Sequence, residues 1–214
     1  MHAPNSSSIR IYLLGRFQVA RDTRVLLDAD WQRRKASTLL QYLALERRLT
    51  KDQAIELLWP EASLTAGSNN LYPTLHALRQ TLDSTLSSGT AEATFSFKDG
   101  VLSLDESVWV DAHEFRRASQ LALNASPLTQ AELEAAIALY GGDLLSSRLY
   151  DDWTLYARDD LRRQYREVGL ALAILKRDHG DSLGAISLLS PLLEHNLSDE
   201  VVHRELMRTY AYAG

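Results

Sequence analysis

The stretch SNNLYPTLHALRQTLD, residues 68–83, concentrates side chains that can exchange hydrogen bonds with nucleic-acid bases. Leu71, Leu75, Leu78 and Leu82 recur at i, i+4, i+7 and i+11, the spacing of one buried helical face. The opposite face carries Asn69, Pro73, His76 and Gln80, flanked by Tyr72 and Arg79. Asparagine and glutamine pair bidentately with adenine, and arginine with guanine. Tyr72 and His76 suit phosphate or base, and Tyr72 equally suits packing. A plain solvated face has the same composition, so this stretch alone leaves both readings open. Pro73 adds a constraint, because proline is tolerated in a helix only within the first turn. The sequence therefore predicts either a helix starting at about Asn70 or a kink at Pro73.

Other charged and polar groups carry weaker signals. Arg33, Arg34 and Lys35 begin a helical pattern, where cations oppose the macrodipole at roughly 0.3–1 kcal/mol each. Phosphate contact is one reason to keep them there, and an ion pair with Asp28 or Asp30 is another. Arg47, Arg48 and Lys51 flank the next turn with the same ambiguity. Asp151 and Asp152 precede a long helix and read as N-terminal caps rather than paired catalytic carboxylates. Trp109 and Trp153 read as packing residues. His195 and His203 do not make a metal-ligand spacing. The chain has no GxSxG elbow, GxxxxGK[ST] loop or GxGxxG turn, so no enzymatic activity, cofactor or metal is expected.

Bulk composition sets the frame. The 214 residues fit one large domain or two small ones. The absence of cysteine removes disulfides and thiolate metal sites. MHAPNSSSIR lacks the apolar region of a signal peptide, and no apolar run is long enough to span a membrane, which predicts a cytoplasmic protein with no membrane partner. The net charge of −5 argues against a nucleic-acid binder until it is divided along the chain. Residues 1–108 hold 12 basic and 12 acidic residues, whereas 109–214 hold 11 basic and 16 acidic. The acidity belongs to the second half, and the first half stays eligible to approach phosphates.

The elements that would position the 68–83 face follow from periodicity. IRIYLLGRFQVARD alternates around Ile9, Ile11 and Leu13, resumes at Phe17 and Val19, and TRVLLD supplies a third strand. Asp30 then caps a helix with Ala36, Leu39, Leu40 and Leu43 inward. Thr50 and Gln53 form a capping box for a second helix burying Ala54, Leu57 and Leu58 and ending at Pro60. PEASLTAG reads as a polar connection to the third helix, and DSTLSSGTAEA as loosely ordered. In TFSFKDGVLSL, Asp99-Gly100 fits a type I′ turn that pairs Phe97 with Leu102 and Phe95 with Leu104. Strands, three helices and a hairpin in this order are winged-helix organisation.

Residues 109–214 read as all helix: 111–123, 130–140, 152–178, 182–194 and 199–212. The long helix carries Trp153, Ala157, Leu161, Tyr165, Val168, Leu172 and Leu175 on one stripe, and the next carries Ile186, Leu189, Ser190 and Leu193. Antiparallel pairs with short turns suggest a tetratricopeptide-like (TPR-like) solenoid. The fold class is thus mainly α with small antiparallel β, a winged helix-turn-helix domain over 1–108 and a helical TPR-like domain over 109–214. TYAYAG ends where a further helix is expected, which reads as a truncated second domain.

YLLGRFQV, RRKASTLLQYLAL, ELLWPEAS, NNLYPTLHALRQTLD, VDAHEF, LYGGDLLSSRLYDDW and GDSLGAISLLSPLLEHNLSDEVVHRELMRTYAYAG occur in an order that resembles one family. It is that of bacterial transcriptional activators of the antibiotic-regulatory-protein type. These join an OmpR-like winged helix to a helical bacterial transcriptional activator domain. The resemblance implies sequence-specific binding of double-stranded DNA at promoter-proximal repeats, with self-association there. It places Asn69, Asn70, Tyr72, Pro73, His76, Arg79 and Gln80 on the base-reading helix. Arg33, Arg34, Lys51, Ser68 and Lys98 become the phosphate contacts, with Lys98 to Gly100 on the wing. It gives the loop holding Pro60, Glu61, Ser63 and Thr65 to RNA polymerase. Family helices resemble NNLxxxLHRLR, and here Ala77 stands where they carry a basic residue. The rival reading is a TPR-like interaction scaffold whose winged helix no longer binds DNA.

Overall fold

Alternation at single-residue spacing builds the first sheet. Ile9 and Ile11 of β1 (Ile9–Tyr12), Val19 of β2 (Gln18–Arg21) and Leu26 of β3 (Arg24–Leu27) point inward and are buried. In the computed structural model, which describes residues 9–148 and 150–213, these strands join β7 (Trp109–Val110) in the order β3-β2-β1-β7. The N-terminal MHAPNSSS segment and the side chain of His195 lie outside the described residues. β7 runs parallel to β1, pairing Arg10 with Trp109 and Ile11 with Val110. The buried Asp111 carboxylate then accepts the backbone N–H groups of Leu13 (2.8 Å) and Leu14 (2.9 Å). The chain forms two compact units, Met1–Asp111 and Ala112–Gly214. Because β7 pairs with β1, Trp109 and Val110 belong to the first unit, so the division falls slightly beyond the 108–109 boundary expected from sequence.

Three helices follow in the first unit. Asp30 does not cap α1 (Arg34–Glu46): its carboxylate accepts the Leu27 N–H at 2.8 Å, and Arg33 occupies the cap position with no side-chain bond. The cause is Trp31, which turns inward beside Phe17 at 5.9 Å and delays helical geometry to Arg34. Ala36, Leu39, Leu40 and Leu43 are fully buried, as their spacing predicts. The capping box of α2 (Lys51–Leu58) forms in both directions between Thr50 and Gln53. Its inner set is Ala54, Ile55 and Leu58, with Leu57 only half-buried.

After α3 (Leu64–Thr85), the segment expected to be loose is pinned by side-chain hydrogen bonds. Asp83 accepts the Ala91 N–H at 2.9 Å, Thr90 accepts from Arg21 at 2.8 Å, and α4 (Thr90–Thr94) forms. The hairpin has the expected register, Phe97 with Leu102 and Phe95 with Leu104, across β5 (Phe95–Lys98) and β6 (Val101–Leu104). Positive φ at Asp99 (51°) and Gly100 (74°) gives the type I′ turn. A third strand, β4 (Arg48–Thr50), pairs with β6 just before α2. This is a winged helix with a three-stranded wing sheet.

The second unit consists of α5 (Asp111–Asn124), α6 (Gln130–Ala138), α7 (Leu155–Asp178), α8 (Ser182–His195) and α9 (Glu200–Ala213). From α6 onward each helix packs on the next, the TPR-like arrangement. One core joins Ala122, Leu133, Ala136, Val168 and Leu172, and the other joins Ala173, Ala185, Leu189, Leu192 and Val202. The inner stripe of α8 is therefore turned from the expected one. Ala185 and Leu192 replace Ile186 and Leu193, and Ser190 is exposed with its hydroxyl donated to the Ile186 carbonyl. The turn lets Leu192 approach the side-chain-free backbone of Gly169 on α7. Asp151 is not a side-chain cap; it pairs with the buried Arg148 at 3.2 Å.

Asp199 ties α7 to α9. It receives a bidentate bond from Arg166 of α7 and accepts the N–H groups of Val201 and Val202 at the start of α9. The Arg166 guanidinium, followed by those N–H groups, holds its pKa down at about 2. A carboxylate depressed in the folded state stabilises above its unfolded pKa and loses that contribution as pH falls through the folded value. The second unit should therefore lose helical stability between about pH 4 and pH 2. Asp199→Asn should flatten that step in an acid titration followed by circular dichroism; an unchanged titration would remove Asp199 as its cause.

Candidate nucleic-acid interface

The helix carrying the polar face starts earlier than proline chemistry alone predicts. Ser63 accepts the Ala66 N–H at 3.3 Å and opens α3 at Leu64, so neither Asn70 nor Pro73 lies in the first turn. Pro73 is an interior residue of one continuous helix. An interior proline costs roughly 3 kcal/mol. Leu71, Leu75, Leu78 and Leu82 are 0–1% exposed, and each fully buried leucine contributes about 1.5–3 kcal/mol, so the stripe outweighs the proline. Gly67 fixes where α3 begins its contact with α2: a Cβ there would lie 2.2 Å from Cγ2 of Ile55. Only a glycine leaves room for the Ile55 side chain against the α3 backbone here.

With the stripe buried, Asn69, Asn70, Tyr72, Pro73, His76, Arg79 and Gln80 are all exposed. Two features of the first unit flank them. On one side is the start of α1, where Arg33, Arg34, Trp59, Asn70 and Pro73 line an open cleft of about 400 Å³. A smaller cleft places Arg33 and Gln32 beside Ala77 and Gln80. Ala77 is only 9% exposed and sits on this flank, so a longer side chain there would lie beside Arg33 rather than on the outward face. On the other side is the hairpin. Tyr72 meets Phe97 edge-on at 6.1 Å while remaining 55% exposed, so it both packs and presents its hydroxyl end. The Arg79 guanidinium lies 5.3 Å from the Phe95 ring, and the Lys51 ammonium 5.7 Å from the Tyr72 ring. The Lys51 N–H donates to the Gly100 carbonyl at 2.8 Å, which ties the hairpin turn to the start of α2.

The cations of this surface are not neutralised. Among the described residues, Arg33, Arg34, Lys51, Arg79 and Lys98 form no ion pair with a carboxylate. The expected alternative for Arg33 and Arg34 does not form: Asp30 binds the Leu27 N–H, and Asp28 accepts from Ser37 (3.3 Å) and Gln41 (3.4 Å). In the second unit, by contrast, Arg116, Arg162, Arg163, Arg166 and Arg177 are all paired with carboxylates. Lys35 is committed elsewhere, donating to the Leu58 carbonyl at 2.7 Å and covering Trp59 at 4.5 Å. Lys98 is exposed at the end of β5, and Ser68 is half-buried on α3. The connection expected to run through PEASLTAG is shorter. Pro60, Glu61 and Ser63 are exposed between the helices, Ser63 serves as the cap, and Thr65 lies in the first turn of α3.

Sequence reasoning passed over Trp59, which lines the Arg33–Asn70 cleft, and Phe95 and Phe97, which support Arg79 and Tyr72. The hairpin alternation put both phenylalanines on one face, but which helix they meet is a tertiary fact. Among the described residues no group of three His, Asp or Glu side chains could hold a metal ion, and no helix is long and apolar enough to cross a membrane.

Residues 110–214 match the model of the bacterial transcriptional activator domain. The second unit is a bacterial transcriptional activator domain. A domain of this kind behind a winged helix is the arrangement of the family that the sequence resembles. No curated protein matches the chain. Among solved structures, Mycobacterium tuberculosis EmbR in complex with a low affinity phosphopeptide is similar, with a TM-score of 0.74 and 16% identity. The match covers 97% of this chain and 56% of EmbR, so the chain spans just over half the length of that relative. At this identity the likeness is one of fold.

The close approach of α2 and α3 gives a direct test of how the face is held. Gly67→Ala should cost about 1–3 kcal/mol in urea denaturation, the range for overpacking a tight contact. Removing the obstructing side chain as well, in Gly67→Ala/Ile55→Ala, should lose less than the sum of the two single variants. Additive losses would show that Ile55 is not what excludes a side chain at Gly67.

Proposed function

We propose that this chain is a sequence-specific, DNA-binding transcriptional regulator that acts as an activator in the cytoplasm. The observation that carries the reading is the α3 face itself. Seven exposed residues of base-reading or groove-compatible type sit between the α1 arginines and the hairpin, with unneutralised cations on both flanks. An interaction scaffold has no need to leave these cations unpaired, and the acidic charge that argues against DNA belongs to the second half.

In this reading α3 enters the major groove of double-stranded DNA. Asn69, Asn70 and Gln80 read adenine edges, Arg79 reads guanine, and His76 and Tyr72 add base or phosphate contacts. Arg33, Arg34, Lys51, Ser68 and Lys98 hold phosphates on either side and set the register of the helix in the groove. Phe95 beneath the Arg79 guanidinium restricts its rotamers, so less order is lost on binding. Pro60, Glu61, Ser63 and the first turn of α3 at Thr65 offer a surface to RNA polymerase. The helical unit supplies self-association on adjacent repeats.

The test separates position from readout. Fragments of the chain's own upstream region, titrated by fluorescence anisotropy at several salt concentrations, should bind with a steep salt dependence. Arg33→Ala should weaken all duplexes alike and lower the slope of log K against log salt by about 0.9. Arg79→Ala should cost about tenfold on the preferred site beyond its cost on random duplex. Undetectable binding at low salt, or an Arg79→Ala variant indistinguishable from the parent, would sink the proposal.

A further inference from the structure

We infer that the cleft on the back of the wing sheet is a binding site for a small zwitterion of the α-amino-acid class, whose occupation reaches the base-reading face through Phe95. The site stands on its own geometry, and only its effect on DNA rests on the proposed DNA binding.

Alternate residues of a strand point to opposite sides of its sheet. Phe97 meets Tyr72 of α3 from one face of the wing sheet. The register Arg48–Ser103–Ser96 across β4, β6 and β5 sets one guanidinium and two hydroxyls in a row on the other face. That row lines a half-open cleft of about 440 Å³, within the roughly 300–1,000 Å³ of small-molecule sites. Arg47 brings a second guanidinium to it. It closes α1 with φ at 66°, its N–H donating to the Leu43 carbonyl and its carbonyl accepting the Leu104 N–H, both at 2.8 Å. Glycine is the usual residue for this left-handed position at a helix end. The arginine here makes no ion pair with its side chain, and neither serine hydroxyl has a hydrogen-bond partner among the described residues.

Opposite charge completes the cleft. Arg47 and Arg48 stand at the β4 edge, Asp105 and Glu106 follow the middle strand, and Glu92 precedes β5 at the other edge. Asp105 is engaged by Ser107, whose N–H and hydroxyl donate to it at 2.9 and 2.6 Å. Glu92 and Glu106 are exposed, and among the described residues none of the three carboxylates pairs with Arg47 or Arg48. Two neighbouring guanidiniums and two free hydroxyls suit a carboxylate, to which they make charge-assisted bonds. The free carboxylates suit an ammonium. Three carboxylates against two guanidiniums leave the lining negative, so the cleft repels a DNA phosphate and accepts a molecule carrying both signs. Phe95 also lines the cleft, and its ring lies against the Arg79 guanidinium of α3. A ligand held by Ser96, Ser103 and Arg48 therefore acts on the strand that supports the residue assigned to guanine.

Saturation-transfer NMR of the full chain with each of the twenty standard α-amino acids, at about 5 mM so that millimolar binding registers, tests the site. At least one should bind, with its methyl ester and its N-acetyl derivative each weaker by about tenfold or more. Arg48→Ala and Ser103→Val should each weaken the same amino acid by about tenfold. In the anisotropy titration that amino acid should change the parent's affinity for its preferred duplex about fivefold or more, and its effect should vanish in Arg48→Ala. If none of the twenty binds, or if binding survives both Arg48→Ala and esterification, the site is overturned. DNA affinity that ignores a bound amino acid overturns the coupling through Phe95. A parent that never binds DNA overturns the proposed function, while the NMR result still decides the site.

Discussion

The contact between Gly67 and Ile55 is the constraint on which the functional face depends. A Cβ at position 67 would stand 2.2 Å from Cγ2 of Ile55, so the Ile55 side chain of α2 seats directly on the α3 backbone at Gly67. That approach, with Ser63 capping α3 just after the short connection, sets the rotation of the helix. The leucine stripe then faces inward, and the opposite residues face out. Everything proposed about base reading follows from which residues that rotation exposes.

Around this contact the first unit divides labour between packing and charge. Phe95 and Phe97 support Arg79 and Tyr72 from the hairpin, and the Lys51–Gly100 backbone bond couples that hairpin to the start of α2. Exposed ion pairs contribute little to stability, so leaving these cations unpaired costs the fold little. In the second unit the arginines are structural. Arg166 clamps the start of α9 through Asp199, and the buried Arg158 donates to the Leu144 and Arg148 carbonyls. The first unit uses arginine in both ways, since Arg21 and Arg24 hold Thr90 and the Leu86 carbonyl while Arg33, Arg34 and Arg79 stay unpaired with carboxylates.

The interior proline is the point where local chemistry and tertiary packing conflict most openly. On local grounds α3 should either begin near Asn70 or kink at Pro73; it begins at Leu64 with Pro73 inside, because four buried leucines outweigh one interrupted bond. Other local expectations failed for a similar reason. Asp30 is drawn to the Leu27 N–H once Trp31 turns inward, Asp151 is drawn to Arg148, and α8 turns toward Gly169. Each error arises where a distant residue competes for a side chain that local spacing had assigned to a neighbour.

By itself the sequence determined the identity of the elements and the faces within them. The spacing of Leu71, Leu75, Leu78 and Leu82, the Asp99-Gly100 turn and the Thr50–Gln53 capping box are short-range patterns set by backbone geometry, and each appears as spaced. Their order was enough to make the winged helix and the TPR-like helices legible. The tertiary structure decided what no window of residues contains. The strand β4 exists because Val101–Ser103 is there to pair with it, and the 85–94 segment is ordered because Asp83 and Arg21 reach it. Arg33, Trp59 and Asn70 meet in one cleft only after the helices pack. Contacts between residues distant in sequence are set by packing and by competition among all available partners, which local periodicity does not encode.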